Sequence, residues 1–241
     1  MSSFARYPKQ IQNYYSMASF FITGNPYSIT GDPYGYSAPS GGQGSRGTKG
    51  ATGTTGQCGF DGSYYCAVEP GNGAIGGSGT NGANGGDGAK GRPAPPTVLD
   101  LGKMVGIIEI RVGGGTGQTA GNGGTGGDGG TGGDPGENVP VHYYLVTIYV
   151  CHNASPGPQG LGGRGGNGGR GGDGGDGATV TAWYDAGSTG SINPVTFYGT
   201  PGIPGNGGPG GYSLTGNLGV GNPGGPGNPG SASNIIARQK P

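Results

Sequence analysis

Glycine returns at every third position in five separate stretches of this chain, and that period limits the fold more than any single residue does. From Gly41 to Gly62 and from Gly73 to Gly91 the triplet is G-x-y without a break, and from Gly121 to Gly136 and Gly157 to Gly177 it tightens to GGx. A helix of 3.6 residues per turn would scatter these glycines around its axis, whereas the three-residue turn of a polyproline II-type helix stacks them into straight edges. The strict register also separates the chain from a flexible glycine-rich linker, which has no use for glycine at fixed places.

With 67 glycines and 20 prolines among 241 residues, and only 10% charged, the composition falls in the collagen-like or low-complexity range. Collagen needs many imino acids at x and y. The stretch from Gly41 to Gly62 holds no proline, and GGx triplets weaken a triple helix further. Bare glycine edges instead let neighbouring helices approach until backbone N–H and C=O groups bond between them. Such a bundle needs no large apolar core, in keeping with five Phe and one Trp.

The intervening segments read as strands. Ile108, Ile110 and Val112 alternate with Glu109 and Arg111, and Val141 to Cys151 is apolar on both faces, as in a buried central strand. Thr179 to Tyr184 and Pro194 to Tyr198 are further candidates, and no segment carries a capped amphipathic helical pattern. The expected fold is a polyglycine II (polyproline II-type) helix bundle or layers combined with a small β-sheet, with essentially no α-helix. Its organisation is a Tyr-rich N-terminal arm (1–40), a glycine-rich repeat region (41–230) with strands within 97–112, 139–152 and 179–198, and a C-terminal tail (231–241).

Twelve basic and twelve acidic residues leave no net charge to attract nucleic acid or an anionic membrane. No apolar run approaches a membrane span, and the apolar stretch Met17 to Ile22 is too short for a signal peptide, so no membrane insertion is expected. Of three cysteines, Cys58 and Cys66 are close enough in sequence to pair, leaving Cys151 for an intermolecular bond or as a free thiol; three reduced thiols are the other reading. Zinc and calcium spacings are absent, and neither a metal nor any other cofactor is expected. His142 and His152 lack an accompanying nucleophile or carboxylate spacing, so the chain is read as non-enzymatic.

In the GGx stretches the third residues form columns, one of Asn122, Thr125, Asp128, Thr131 and Asp134 and another of Leu161, Arg164, Asn167, Arg170, Asp173 and Asp176. Asp128 and Asp134 have the same spacing as Arg164 and Arg170, so cross-helix ion pairs between them are expected if the stretches lie side by side; a solvated charged edge is the alternative. Tyr14, Tyr15, Phe20, Phe21 and Ile22 make an apolar, strand-capable arm suited to adding to a neighbouring subunit's sheet or to folding over its own. Tyr64 and Tyr65, and Ser188, Thr189, Ser191 and Asn193, are candidate recognition loops, with ordinary turns as the alternative.

The three-residue glycine pattern resembles that of glycine-rich polyglycine II proteins: snow flea antifreeze proteins, the tip adhesins on the tail fibres of T-even-like phages, and glycine-rich mycobacterial surface proteins. The resemblance covers about half the chain and lies in repeat chemistry. The adhesin resemblance implies a helix bundle whose tip loops touch a host receptor; the antifreeze resemblance implies a flat face of small, weakly polar residues, which the Asp and Arg columns interrupt. The expected function is a structural, self-assembling subunit of an extracellular, cell-surface or virion-surface fibre, whose partners are copies of itself. A receptor-binding adhesin is the first alternative and an ice-binding protein the second.

Overall fold

The computed structural model describes residues 18–24 and 38–241. No helix occurs among them, and the regular elements are the strands β1 (Ala18–Thr23), β2 (Gln57–Phe60), β3 (Tyr64–Val68), β4 (Thr97–Asp100), β5 (Ile107–Gly113), β6 (Pro140–Tyr143), β7 (Val146–Tyr149), β8 (Thr179–Tyr184), β9 (Ser191–Phe197) and β10 (Asn234–Gln239). Between them lie six glycine-rich runs: I (38–56), II (71–94), III (113–136), IV (155–177), V (199–212) and VI (219–231).

Backbone hydrogen bonds between runs follow the glycine period. In run III, Gly121, Gly124 and Gly127 donate to Gly86, Ala83 and Thr80 of run II at 2.8–2.9 Å, so these two runs are antiparallel. Gly123 and Gly126, one residue earlier in each triplet, donate to Asn206 and Pro209 of run V, which is therefore parallel. The third residue sends its carbonyl sideways: Asn122, Thr125 and Asp128 accept from Gly41, Gly44 and Gly47 of run I. The same scheme places runs I, III and V side by side in one layer and II, IV and VI in a second, with opposite direction. Glycine is required at this distance: a Cβ on Gly124 or Gly127 would lie inside the carbonyl of Gly42 or Ser45.

At one end β4, β5, β8, β9 and β10 adjoin runs II, III, IV, V and VI in sequence, and β1 takes the corresponding place beside β5. Sheet order β1-β5-β9, all parallel, matches runs I, III and V, and order β4-β8-β10, also parallel, matches runs II, IV and VI. The chain thus makes three coils of strand, run, turn, run and strand, and equivalent positions on neighbouring coils bond at separations of 83 residues between runs II and IV, 84 between III and V, and 55 between IV and VI. The core of Ile22, Ala94, Ile110, Val112, Val180 and Ala182 belongs to this strand end, with Leu99, Ile108, Ile192 and Ile235 packed against it. Alternation explains it: Ile110 and Val112 are fully buried, while Arg111 points out and lies 5.4 Å from the Phe21 ring.

Several expectations are corrected. Segments 97–112 and 179–198 each hold two strands in different sheets, because the chain changes layer at Gly102 and Gly106 and again at Gly187. Among the described residues there is no single small sheet but two three-stranded sheets and two hairpins. Val141 to Cys151 is not a buried central strand: it forms the hairpin β6–β7, turned at Tyr144 with φ 53°, and β7 is exposed throughout. The C-terminal tail contributes β10. Phe20, Phe21 and Ile22 do not form a free arm, since β1 pairs with the chain's own β5 and Ile22 enters the core; Tyr14 and Tyr15 lie outside the described residues.

Candidate recognition surface at the hairpin end

The end opposite the strand sandwich is built by the three turns of the coils. Hairpin β2–β3 joins runs I and II through Asp61 and Gly62, whose φ of 100° suits glycine. Hairpin β6–β7 joins runs III and IV, and residues 213–218 join runs V and VI. The last of these is held by run IV: the Gln159 side chain accepts the Leu214 N–H at 3.0 Å, and the Thr215 hydroxyl donates to the Gln159 carbonyl.

A disulfide ties the first two turns together. Cys66 bonds Cys151 across 85 residues with Cα atoms 4.9 Å apart, and Cys58 is the free thiol. This corrects the expected Cys58–Cys66 pair. Those two do face each other across the β2–β3 ladder, but Cys66 lies against the neighbouring coil, where Cys151 follows β7. The joint is reinforced by Glu69, which accepts both the His152 backbone N–H at 2.9 Å and its Nδ1 at 3.0 Å. The His152 ring bond is the main reason the Glu69 carboxyl sits below its ordinary range. Cys66, Glu69 and Cys151 cluster closely, yet both sulfurs are consumed in the disulfide, so they are no thiolate ligands for a metal.

Aromatic rings run across the two hairpins: Phe60 to Tyr64 at 4.9 Å, Tyr64 to Tyr143 at 6.4 Å, and Tyr143 to Tyr144 at 4.7 Å. At the β6–β7 turn Tyr144 is 89% exposed and Leu145 fully so. Val146, Ile148 and Tyr149 of β7 and Leu214 and Leu218 of the third turn are exposed as well. Segments 57–69, 137–153 and 212–221 contain no Lys or Arg, and their acids are Asp61, Glu69 and Glu137. An open cleft of about 740 Å³ lies beside the disulfide, lined by Glu137, Asn138, Tyr149, Cys151, His152 and Asn153.

Of the predicted site residues, Tyr64 and Tyr65 belong to this surface; Ser188, Thr189, Ser191 and Asn193 are at the other end. There the Ser188 hydroxyl caps the Met104 N–H, Thr189 donates to the Met104 carbonyl, and Asn193 lies in β9 against Glu109. They form a structural turn and strand, not an open loop. The Asp–Arg pairs are also replaced: Asp134 pairs with Lys49, Arg170 with Asp173, Asp128 accepts the Tyr212 N–H, and Arg164 reaches Asn222. Run III is flanked by runs I, II, IV and V, and run IV by II, III, V and VI, so each column points out of its own layer. The acids and arginines therefore stand on opposite faces. The β6–β7 turn escaped sequence reasoning, because Tyr-Leu is not a turn signal and apolar character on both faces normally means burial.

No protein-family model matches the chain, and no curated protein matches it. Among solved structures, it is similar to a springtail antifreeze protein from Granisotoma rainieri, described as a nine polyproline type II helical bundle. The identity is 23% over 77% of this chain and 92% of that one, with a TM-score of 0.16. A score so low carries no argument about fold or function.

Proposed function

We propose that the six runs are polyglycine II helices and that the protein is a non-enzymatic rod of an extracellular, cell-surface or virion-surface structure, acting through its aromatic hairpin end as a recognition module. The single observation behind this reading is the concentration of exposed apolar side chains at one end, from Phe60 and Tyr64 to Tyr144 and Leu145. At about 3.1 Å per residue the 24 residues of run III extend roughly 70 Å, which suits a spacer that holds a contact surface away from its support. Tyr and Phe supply contact area at small entropic cost, and lack of basic residues there disfavours nucleic acid or anionic lipid as the partner.

This moves the receptor-binding reading ahead of the filament reading. Strand addition by the N-terminal arm loses its support because β1 occupies its own sheet. Ice binding gains nothing from the faces, where Arg46, Lys49, Asp128 and Asp134 interrupt the Thr rows.

The test is negative-stain electron microscopy over a concentration series, with binding of labelled protein to intact cells read by flow cytometry. Discrete rods that bind cells, with binding lost in Tyr144→Ser/Leu145→Ser, are expected. Uniform filaments, or cell binding indifferent to the double substitution, would return the filament reading to first place.

A further inference from the structure

The two long edges of the bundle are chemically different. In runs III and IV, the residue just before each donor to the preceding run sends its N–H sideways to the next run of its layer, as Gly123 does to Asn206 and Gly165 to Gly219. Runs V and VI have no further run beside them among the described residues. At the corresponding positions stand Pro201 and Pro204 in run V and Pro223, Pro226 and Pro229 in run VI. Proline has no N–H, and its fixed φ suits an extended helix, so five of the eight positions on this edge present no donor, while Gly207, Gly210 and Val220 keep theirs.

The edge formed by runs I and II has no such treatment. Thr48, Ala51 and Thr54 occupy the position whose N–H in runs II to VI reaches the preceding run, and none of the three has a hydrogen-bond partner among the described residues. Only Ser45, in the same series, is satisfied, by the Thr80 hydroxyl at 2.7 Å. The carbonyls of Arg46, Lys49 and Thr52, counterparts of those in run III that accept from run I, likewise receive no N–H among the described residues. Neighbouring positions on run II are small, Gly71, Ala74, Gly77 and Ala83, and allow close backbone approach.

We propose that the run I–run II edge is a docking surface for a second copy of this chain, related by a two-fold axis. Run I carries both the unmet donors and the unmet acceptors, so the surface is complementary to itself, as a two-fold contact requires. Sixteen residues of run I at about 3.1 Å each, two runs wide at about 5 Å, give roughly 500 Å² per copy. The total of about 1,000 Å² meets the lower limit of a specific interface. The proline-rich edge faces outward in such a pair, and growth through this contact stops at two because a two-fold contact uses the surface of both copies. This inference is independent of what the aromatic end binds, and its test leaves that end untouched.

The experiment is sedimentation velocity on the full chain from about 1 to 100 µM, beside Thr48→Pro/Thr54→Pro. Those two donors face Gly77 and Gly71, and their removal breaks no bond among the described residues. A wild-type dimer and at least ten-fold weaker association in the variant, with circular dichroism unchanged, are expected. Wild-type monomer throughout the range, or equal association of the two chains, would overturn the proposal. Should the variant not fold, hydrogen exchange on the wild type decides: the amides of Thr48, Ala51 and Thr54 are to be protected at high concentration and not at low. Equal exchange at both concentrations would also overturn it.

Discussion

The side chain of Asn84 accepts the backbone N–H of Asn167 at 2.9 Å, and Asn167 does the same for Asn222 one run further along the layer, also at 2.9 Å. The relationship recurs: Asn81 takes the N–H of Arg164, Asp87 that of Arg170, Asn122 that of Asn206 and Asp173 that of Asn228. In the triplets of runs III and IV two N–H groups are met by neighbouring runs and the third points outward. Asn and Asp at the outward position provide a carbonyl or carboxylate oxygen to that third donor.

Asn84→Ala should therefore destabilise the protein by about 0.5–1 kcal/mol, because water partly replaces the lost acceptor at the surface. Asn84→Asp, which keeps the oxygen, should stay within about 0.5 kcal/mol of wild type. Urea denaturation checks both; equal losses would show that the oxygen is not what matters.

Glycine substitutions separate the interior from the rim. A Cβ at Gly127 would fall inside the Ser45 carbonyl, whereas at Gly225 it meets nothing within 4 Å. Gly127→Ala is expected to cost more than about 3 kcal/mol, and Gly225→Ala to be neutral or to stabilise by up to about 1 kcal/mol through the unfolded chain. Melting temperatures of the two single variants decide the matter.

The Cys66–Cys151 bond closes a long loop, at a separation of 85 residues. Cys151→Ser should cost about 3–5 kcal/mol on the chain-entropy account. Cys58→Ser should change little. Peptide mapping after alkylation should find the label on Cys58 alone; label shared among all three cysteines would refute the pairing.

Lys240 in the last residues reaches Asp100 and Asp185. Its ammonium is the main reason the Asp100 carboxyl ionises below the ordinary 3.8, with the Gly102 N–H adding to it. A carboxyl lowered in the folded state stabilises at pH above its unfolded value and loses that effect as pH falls through the folded one. The contribution is thus intact at neutral pH and fades below about 3.8. In Lys240→Met, a carbon-detected NMR titration should find the Asp100 midpoint raised; an unchanged midpoint would mean that the pair does not form in solution.

Tyr144 and Leu145 are too exposed to support the fold. Tyr144→Ser and Leu145→Ser should leave the melting temperature within a degree or two, and a larger fall would show that these residues are packed rather than presented.

Much of the architecture was legible in the residues. The period of three located runs I to IV but counted five stretches where six runs stand, and alternation from Ile108 to Val112 correctly named the buried face of β5. What failed has one cause: the pairing of runs. Which column faces which depends on layer order, and that follows from turns whose length and geometry the local residues do not announce. Asp128 and Asp134 have the spacing of Arg164 and Arg170, yet the two pairs stand on opposite faces because run IV returns in the other layer. Cys66 found Cys151 for the same reason, since adjacent coils bring together positions far apart in sequence. At the aromatic end, Tyr64 and Tyr65 were expected on an exposed loop and are exposed, whereas Tyr144 and Leu145 were assigned to a buried strand; nothing in their neighbourhood distinguishes an apolar segment that is buried from one that stays exposed.

The disulfide joins the first coil to the second, and the third is held to them by hydrogen bonds and packing alone. Because the inter-run bonds lie across the long axis, tension applied lengthwise loads many of them at once in shear. Sideways tension at runs V and VI would instead open them one after another, as a zipper opens, and would stop at the cross-linked pair. The molecule is mechanically a two-ply strap with a third ply laid on: strong when pulled end to end and peelable from a single side.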